Sequence, residues 1–172
     1  MGCPVEKALK HNYGVALMGD PEYAAKVTEV AVQSARVPVS VKLRAGPQNN
    51  LDYLSHFVRR LEEAGAAWLT LHPRTPEQKR RGRADWDQIR FVREQVRLPV
   101  IGNGDVQTAA DVKRMLEETQ CDGVMVGRAL TARPWLAWQV GEDWGFAPPP
   151  GLEGRRAPRT PLEEGAEMGV AL

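Results

Sequence analysis

The sequence has little cysteine, no long apolar run and almost no net charge, and each shortage excludes a class of protein. Only Cys3 and Cys121 are cysteines, too few for the disulfide framework of a small secreted domain. No segment is long and apolar enough for a signal peptide or a membrane span. A formal net charge of +1 argues against nucleic-acid binding over the whole surface, but not against a local basic patch. We expect a cytoplasmic protein without a membrane partner.

Short apolar segments alternate with amphipathic ones, and this alternation predicts strands separated by helices. Asp20 and Pro21 fit the N-cap and first position of the first helix, and Gly65 fits the end of the second. The predicted strands cover residues 37–43, 67–71, 99–102 and 123–126, and the predicted helices cover 21–36 and 51–64 and begin at Asp85 and Thr108. The predicted buried stripe of the first helix is Ala24, Val27, Val30 and Ala31.

The predicted strands recur one strand–helix unit apart, with corresponding ends at Lys42, His72, Asn103 and Gly127. Strands that alternate with helices form a parallel sheet, so the fold class is α/β. A doubly wound sheet and a (β/α)₈ barrel both fit this pattern. A complete barrel needs about 250 residues. If the fold is a barrel, the chain carries its second half, with strands five to eight clear and the end of strand four at the N-terminus.

The composition changes near residue 147. Residues 1–146 would form the partial barrel domain. Residues 147–160 are rich in proline, glycine and arginine, which predicts a linker without packed structure. Residues 161–172 could begin a helix, so 147–172 would hold the linker and the start of a truncated C-terminal region.

Basic side chains lie on one face of two neighbouring predicted strands. Lys42 and Arg44 alternate with apolar residues in the first, and His72 and Arg74 do so in the second. Side chains alternate between the two faces of a strand, so the apolar face meets the helices and the polar face points into the barrel. Burying a charge without a partner is costly, which predicts an anionic ligand at the strand ends. The alternative is that acids on strands outside this chain pair with these groups.

Glycine-containing segments follow the last two predicted strands, at residues 103–105 (Asn-Gly-Asp) and 127–128 (Gly-Arg). Glycines let backbone N–H groups approach a phosphate, and the loops after the last two strands are the usual phosphate site of a barrel. A helix starting near Pro134 would add its N-terminal dipole. An Asn-Gly-Asp segment alone is also a common turn.

Two loops on the same side of the predicted sheet carry further candidates. Cys3 precedes a long polar loop at residues 7–19, and long loops on this side of the sheet are usually functional. The simpler interpretation is structural, because a lone cysteine is more often a buried apolar residue. Cys121 has that simpler interpretation. The loop after the His72 strand carries a basic cluster that either grips a phosphate backbone or is a solvated charge run; its members are Lys79, Arg80, Arg81 and Arg83.

These segments together resemble the dihydrouridine synthases, in their order and spacing, from about Gly2 to Trp138. The resemblance implies a (β/α)₈ barrel, of which this chain is the second half. Pro73 departs from the family pattern, in which a glycine usually separates the histidine and the arginine. The matching segments are Gly2–Lys7, Val39–Arg44, Leu71–Thr75, Ala84–Trp86, Ile101–Asp105, Cys121–Arg128 and Pro134–Trp135.

The resemblance implies an oxidoreductase that uses FMN, reduced by NADPH, to convert particular uridines of tRNA to 5,6-dihydrouridine. Cys3 would protonate C5 as a general acid while hydride reaches C6, and the uridine would leave its stack to reach the site. No metal is implied. The implied cofactor contacts are Lys42, His72, Asn103, Gly104, Asp105, Gly127 and Arg128, and the implied substrate contacts are Arg44, Arg74, Lys79, Arg80, Arg81 and Arg83.

The same resemblance places three barrel strands before Met1 and most of a helical RNA-binding domain after Leu172. We therefore expect the isolated chain to be weakly active or inactive, and two copies could self-associate to close the open barrel. Two other hypotheses stay open. One is a different FMN-binding barrel oxidoreductase, similar to dihydroorotate dehydrogenase, and the other is an inactive tRNA-binding remnant.

Overall fold

A four-stranded parallel sheet organises the chain. The computed structural model describes residues 1–47, 49–79 and 81–169. The strands lie side by side in sequence order, and every neighbouring pair is parallel. The described sheet has no reversal of strand order, which a doubly wound sheet would show, so it has the arrangement of four successive strands of a (β/α)₈ barrel. The strands are β1 (Val41–Arg44), β2 (Leu69–His72), β3 (Val100–Asn103) and β4 (Gly123–Met125).

Helices connect the strands at the predicted places. Asp20 Oδ1 accepts a hydrogen bond from Tyr23 N at 3.0 Å, and Gly65 ends the next helix with a φ of +88°. The described helices are α1 (Glu6–Lys10), α2 (Pro21–Ser34), α3 (Leu51–Glu63), α4 (Asp87–Gln95), α5 (Ala109–Thr119), α6 (Arg128–Ala132), α7 (Leu136–Asp143) and α8 (Pro161–Glu167), with a 3₁₀ helix at Gly14–Gly19. None of the helices in the described ranges is long and apolar enough to cross a membrane.

The start of α4 differs from its prediction by two residues. Asp85 is not its first residue, because Asp85 N donates to Pro73 O at 3.1 Å and thereby ties this segment to the loop after β2. The helix begins only at Asp87. The apolar side chains of Ile89, Val92 and Val96 are buried, as are four on α3: Leu54, Phe57, Val58 and Leu61.

The predicted buried stripe of α2 is wrong in three of its four positions. Ala24 is buried, but Ala31 is exposed, and the exposed fractions of Val27 and Val30 are 38% and 51%. The buried residues of α2 are instead Ala24, Ala25 and Thr28, and the helix packs against α3 and the 3₁₀ helix. Small residues allow α2 to approach α3 closely, so the larger valines lie on the outer face. Periodicity located the helix but not the side that is covered.

The register of the sheet also differs from the sequence-based alignment of strand ends. Arg44 is the neighbour of His72, and Lys42 is the neighbour of Thr70. The sequence-based alignment had placed Lys42 beside His72. The last predicted strand, residues 123–126, extends one residue beyond β4, which ends at Met125. A two-residue offset keeps each side chain on its face of the sheet. Staggered registers of this kind accompany strand tilt in barrels.

A glycine allows α5 to lie close to the sheet at β3. A Cβ on Gly102 would lie 2.6 Å from Met115 Sδ and 3.1 Å from Cys121 Sγ. Gly102 therefore serves helix–strand packing and not the approach of a phosphate. Cys121 is buried, and its thiol donates to Gly123 O at 3.1 Å, which agrees with the structural role predicted for it.

The chain divides into two compact units. The first contains residues 1–105 and 114–125, and the second contains residues 106–113 and 126–172. The second unit includes the tail that was predicted to be an unpacked linker. That prediction is wrong for its last part, because Ala157 and Pro158 are buried and Arg159 binds Asp143 Oδ1 at 2.7 Å. The side chain of Thr160 then caps α8 through a reciprocal pair with Glu163.

Candidate active site

Cys3 lies on the exposed surface at the start of the first unit. Its carbonyl accepts a hydrogen bond from Val15 N at 3.2 Å. Gly14 packs against it with a φ of +59°, and a Cβ there would lie 3.3 Å from Cys3 Cβ. The predicted open loop at 7–19 is instead α1 followed by the 3₁₀ helix, with Ala8 fully buried. These packed turns hold the cysteine segment.

Arg44 connects the cysteine segment to the loop after β2. Its Nε donates to Gly2 O at 2.9 Å, and its Nη1 donates to Thr75 O at 3.2 Å and Lys79 O at 3.1 Å. Only 7% of Arg44 is exposed. The guanidinium therefore holds three backbone carbonyls in place. Its predicted contact with substrate stays a prediction.

His72 occupies the end of β2 among three cationic side chains. Partial burial lowers the pKa of His72 to about 4, and the charges of Arg44, Lys42 and Arg74 act in the same direction, while Asp105 opposes them. The imidazole is therefore neutral near pH 7. The pKa of Lys42 is also lowered, by desolvation and then by Arg44, although the residue as a whole remains exposed.

Arg74 and Asp105 form an ion pair across the ends of β2 and β3. Arg74 Nη2 lies 2.7 Å from both carboxylate oxygens of Asp105 and 2.6 Å from Gly82 O. The side chain of Arg74 is only 2% exposed, against 32% for Asp105. Arg74, one of the predicted basic groups, is thus paired with an acid of this chain. The alternative hypothesis had expected such acids on strands outside the chain. The predicted contacts of Arg74 and Asp105 with ligands stay predictions.

The turn after β3 is held by the segment that precedes α4. Trp86 Nε1 donates to Gly104 O at 3.0 Å, and Ala84 N donates to Asp105 Oδ2 at 2.6 Å. Gly104 has a φ of +117°, and a Cβ there would lie 2.9 Å from Ala84 Cβ and from His72 Cδ2. Only glycine fits this position. Arg114 covers the Trp86 ring, with its guanidinium carbon 4.9 Å from the ring centroid.

The other predicted phosphate residues divide between the two units. Asn103 Nδ2 donates to Met125 O at 2.7 Å, so the amide is turned toward the end of β4. Gly127 and Arg128 belong to the second unit, where Gly127 directly precedes α6. The predicted helix near Pro134 is α7, which begins at Leu136. The short helix α6, which lies between Gly127 and Pro134, was not predicted.

The sequence model of the family described as "Dihydrouridine synthase (Dus)" matches residues 1–149. The chain belongs to the dihydrouridine synthase family. A probable tRNA-dihydrouridine synthase of Rhizobium leguminosarum bv. phaseoli is 43% identical over 137 residues, which cover 80% of this chain and 43% of the relative. The probable tRNA-dihydrouridine synthase of Aquifex aeolicus (strain VF5) is 36% identical over 138 residues, 78% of this chain and 43% of that protein. The chain therefore spans less than half the length of these curated relatives.

Solved structures give more distant similarities. An aldolase from Escherichia coli K12 aligns over 74% of this chain and 46% of its own, with a TM-score of 0.46 and 20% identity. A mandelate oxidase aligns over 58% of this chain and 41% of its own, with a TM-score of 0.39 and 17% identity.

The described cations of the basic loop after β2 are exposed to solvent. Lys79, Arg81 and Arg83 are exposed, whereas Arg80 lies outside the described residues. Two buried guanidinium groups fix the backbone of this loop, because Arg44 donates to Lys79 O and Arg74 donates to Gly82 O. In the described ranges, no group of three or more His, Cys, Asp or Glu side chains is placed to hold a metal ion.

Sequence reasoning missed the contacts that fix the turn after β3. Trp86 was noted only as typical of the family, without a chemical role, and Ala84 was not singled out. Their partners are 18 and 21 residues away along the chain. No local pattern encodes such pairs, although the Ala-Asp-Trp segment at the start of a predicted helix was visible in the sequence.

Proposed function

We propose that this chain is the cofactor-binding and catalytic part of a tRNA-dihydrouridine synthase that reduces uridine to 5,6-dihydrouridine. The observation that supports this most is the exposed Cys3, whose segment Arg44 ties to the end of β1. Arg44 is in turn the strand neighbour of His72. The ammonium of Lys42 and the imidazole of His72 thus lie on two adjacent strands, and the segment that carries the thiol is tied to the first of them.

The residues around β1 and β2 fit a phosphorylated flavin. Lys42, Arg44 and Arg74 carry positive charge, His72 is neutral, and Asp105 is the carboxylate that pairs with Arg74. This set keeps a net positive charge, which favours an anionic ligand. The turn at Gly104 packs directly against His72, since a Cβ there would lie 2.9 Å from His72 Cδ2. The proposed FMN contacts are Lys42, His72, Asn103, Gly104, Asp105, Gly127 and Arg128.

FMN, reduced by NADPH, would supply the hydride that C6 of uracil accepts. In that scheme the Cys3 thiol gives its proton to C5, the C5–C6 double bond becomes single, and the thiolate regains a proton from solvent. The cysteine is exposed, so it can meet a base that has left its stack. The basic loop at 79–83 would bind the phosphate backbone of tRNA, because its described cations face solvent.

A flavin titration of the purified chain tests the cofactor part of this proposal. We expect FMN fluorescence to be quenched on binding, and riboflavin to bind more weakly because it lacks the phosphate. Lys42→Met should weaken FMN binding, whereas Lys26→Met, which removes an exposed lysine paired with Glu29 on α2, should not. A chain that leaves FMN fluorescence unchanged would contradict the proposal for the isolated chain.

Binding of tRNA and its reduction test the remaining parts. Charge reversal at Lys79, Arg81 and Arg83 should weaken tRNA binding and reduce its salt dependence. With bound FMN, Cys3→Ala should abolish dihydrouridine formation without affecting FMN binding. Full activity of that variant would contradict the role of Cys3 as the acid. Salt-sensitive tRNA binding by a chain that binds no flavin would favour an RNA-binding remnant.

Self-association is a separate proposal. The outer face of α2 exposes Tyr23, Val27 and Val30, and Val37 is 71% exposed after the helix. Two copies could pair the open edges of β1 and β4, which lie at the two sides of the described sheet, and complete an eight-stranded barrel. Light scattering of the soluble chain decides this, since a monomeric mass at high concentration would exclude it.

A further inference from the structure

Two side chains at the end of β2 meet through nitrogen atoms. Arg74 Nη1 lies 3.3 Å from His72 Nε2. A guanidinium has only donors and stays protonated in proteins, so Arg74 can only donate in this contact. The His72 Nε2 atom must therefore accept. A neutral imidazole carries one proton, and that proton then resides on Nδ1.

Arg74 is fixed firmly enough to impose this choice. Its other terminal nitrogen, Nη2, is bound by both oxygens of Asp105 at 2.7 Å and by Gly82 O at 2.6 Å. Asp105 is itself held by Ala84 N at 2.6 Å. With a side chain only 2% exposed, Arg74 has no route by which to turn into solvent. Its Nη1 donor therefore stays aimed at the ring.

The surroundings of His72 oppose a second proton. Lys42 and Arg44 on β1 and Arg74 after β2 place positive charge near the ring, and among the described residues Asp105 after β3 is the one acid that opposes them. The Asp105 carboxylate is already engaged by Arg74. The imidazole thus remains neutral and keeps a single N–H donor.

The ring also has a defined orientation. Its Cδ2–Nε2 edge faces the turn after β3, since a Cβ on Gly104 would lie 2.9 Å from Cδ2 and 3.4 Å from Nε2. The opposite edge, which carries Nδ1, faces away from that turn. The side-chain hydrogen bond that the described residues make with this ring is at Nε2 and not at Nδ1.

We propose that Arg74 is a positioning residue that fixes His72 as an Nδ1–H donor for an acceptor atom of the bound ligand, a carbonyl or phosphate oxygen. The tautomer follows from the contacts of Arg74. The identity of the ligand rests on the proposed function. Arg74 then acts through His72 and does not contact the substrate itself.

Nitrogen-15 NMR of the chain with labelled histidine measures the tautomer directly. His72 is assigned by the loss of its signals in His72→Gln. At pH 7 we expect Nδ1 in the protonated range and Nε2 in the unprotonated range. A wild-type spectrum with the proton on Nε2, or on both nitrogens, would overturn the proposal.

Variants test whether Arg74 is the cause. The paired change Arg74→Met with Asp105→Leu removes the donor without leaving a buried charge, and the proton should move wholly or partly to Nε2. Arg74→Lys keeps a donor and should preserve the Nδ1–H form. Arg81→Met, on the exposed part of the same loop, should leave the His72 signals unchanged. An unchanged tautomer in the paired variant would refute the role of Arg74.

If the paired variant does not fold, the wild-type chain still decides the question. With arginine and histidine both labelled, a nitrogen–nitrogen coupling across the hydrogen bond should join Arg74 Nη1 to His72 Nε2, and its absence at low temperature would overturn the proposal. FMN titration of the same samples separates the two hypotheses. The predicted tautomer in a chain that binds no flavin would contradict the proposed function alone, and FMN binding with the proton on Nε2 would contradict only the role of Arg74.

Discussion

Replacing Gly104 by alanine should destabilise the first unit more than an alanine at another glycine with positive φ. Its φ of +117° lies outside the regions that alanine adopts easily, which costs about 1–3 kcal/mol. The added Cβ would also lie 2.9 Å from Ala84 Cβ and His72 Cδ2, and forcing such neighbours apart costs about 1–3 kcal/mol. We therefore expect Gly104→Ala to lower the free energy of unfolding by about 2–6 kcal/mol.

Gly82→Ala is the matched control. Gly82 belongs to the same unit and has a φ of +65°, but a Cβ there would have only Gln78 Nε2 within reach, at 4.0 Å. Its expected cost is backbone strain alone, about 1–2 kcal/mol. Urea unfolding followed by tryptophan fluorescence and by circular dichroism measures both variants. Equal costs for the two substitutions would refute the claim that the packing of His72 and Ala84 closes this turn.

Two further predictions concern the charges of the site. Asp105→Asn leaves the buried Arg74 without its carboxylate and should lower the free energy of unfolding by about 2–4 kcal/mol, less than for a fully buried pair because Asp105 is 32% exposed. Asp87→Asn, which breaks an exposed pair with Arg90, should lower it by under about 1 kcal/mol. Similar losses for the two variants in urea unfolding would contradict this prediction. Because the folded chain holds the pKa of His72 at about 4, against 6.5 in the unfolded chain, the unfolded chain takes up a proton first as the pH falls. The free energy of unfolding should drop between about pH 6.5 and 4, by about 1–2 kcal/mol after solvent screening, and a drop of the same size in His72→Gln would exclude His72 as its origin.

Local patterns in the sequence located the strands and the four longer helices, and they identified the cap at Asp20 and the helix end at Gly65. The alternation of polar and apolar residues on β1 and β2 identified the buried leucines Leu43, Leu69 and Leu71. Asp20 before Pro21 determined the start of α2, because a cap needs only neighbouring residues. Such features depend on the nearest few residues. The resemblance to the dihydrouridine synthases, which the family match confirms, likewise required only the order of short segments.

Tertiary structure alone decided which of those residues meet. Arg44 lies beside His72 because of the stagger of neighbouring strands, and a period-two pattern is unchanged by a shift of two residues. Arg74 and Asp105 are 31 residues apart, and only the parallel sheet brings their strand ends together. The covered face of α2 likewise depends on where α3 lies. Sequence patterns report the faces of single elements, whereas register and pairing are properties of elements packed together.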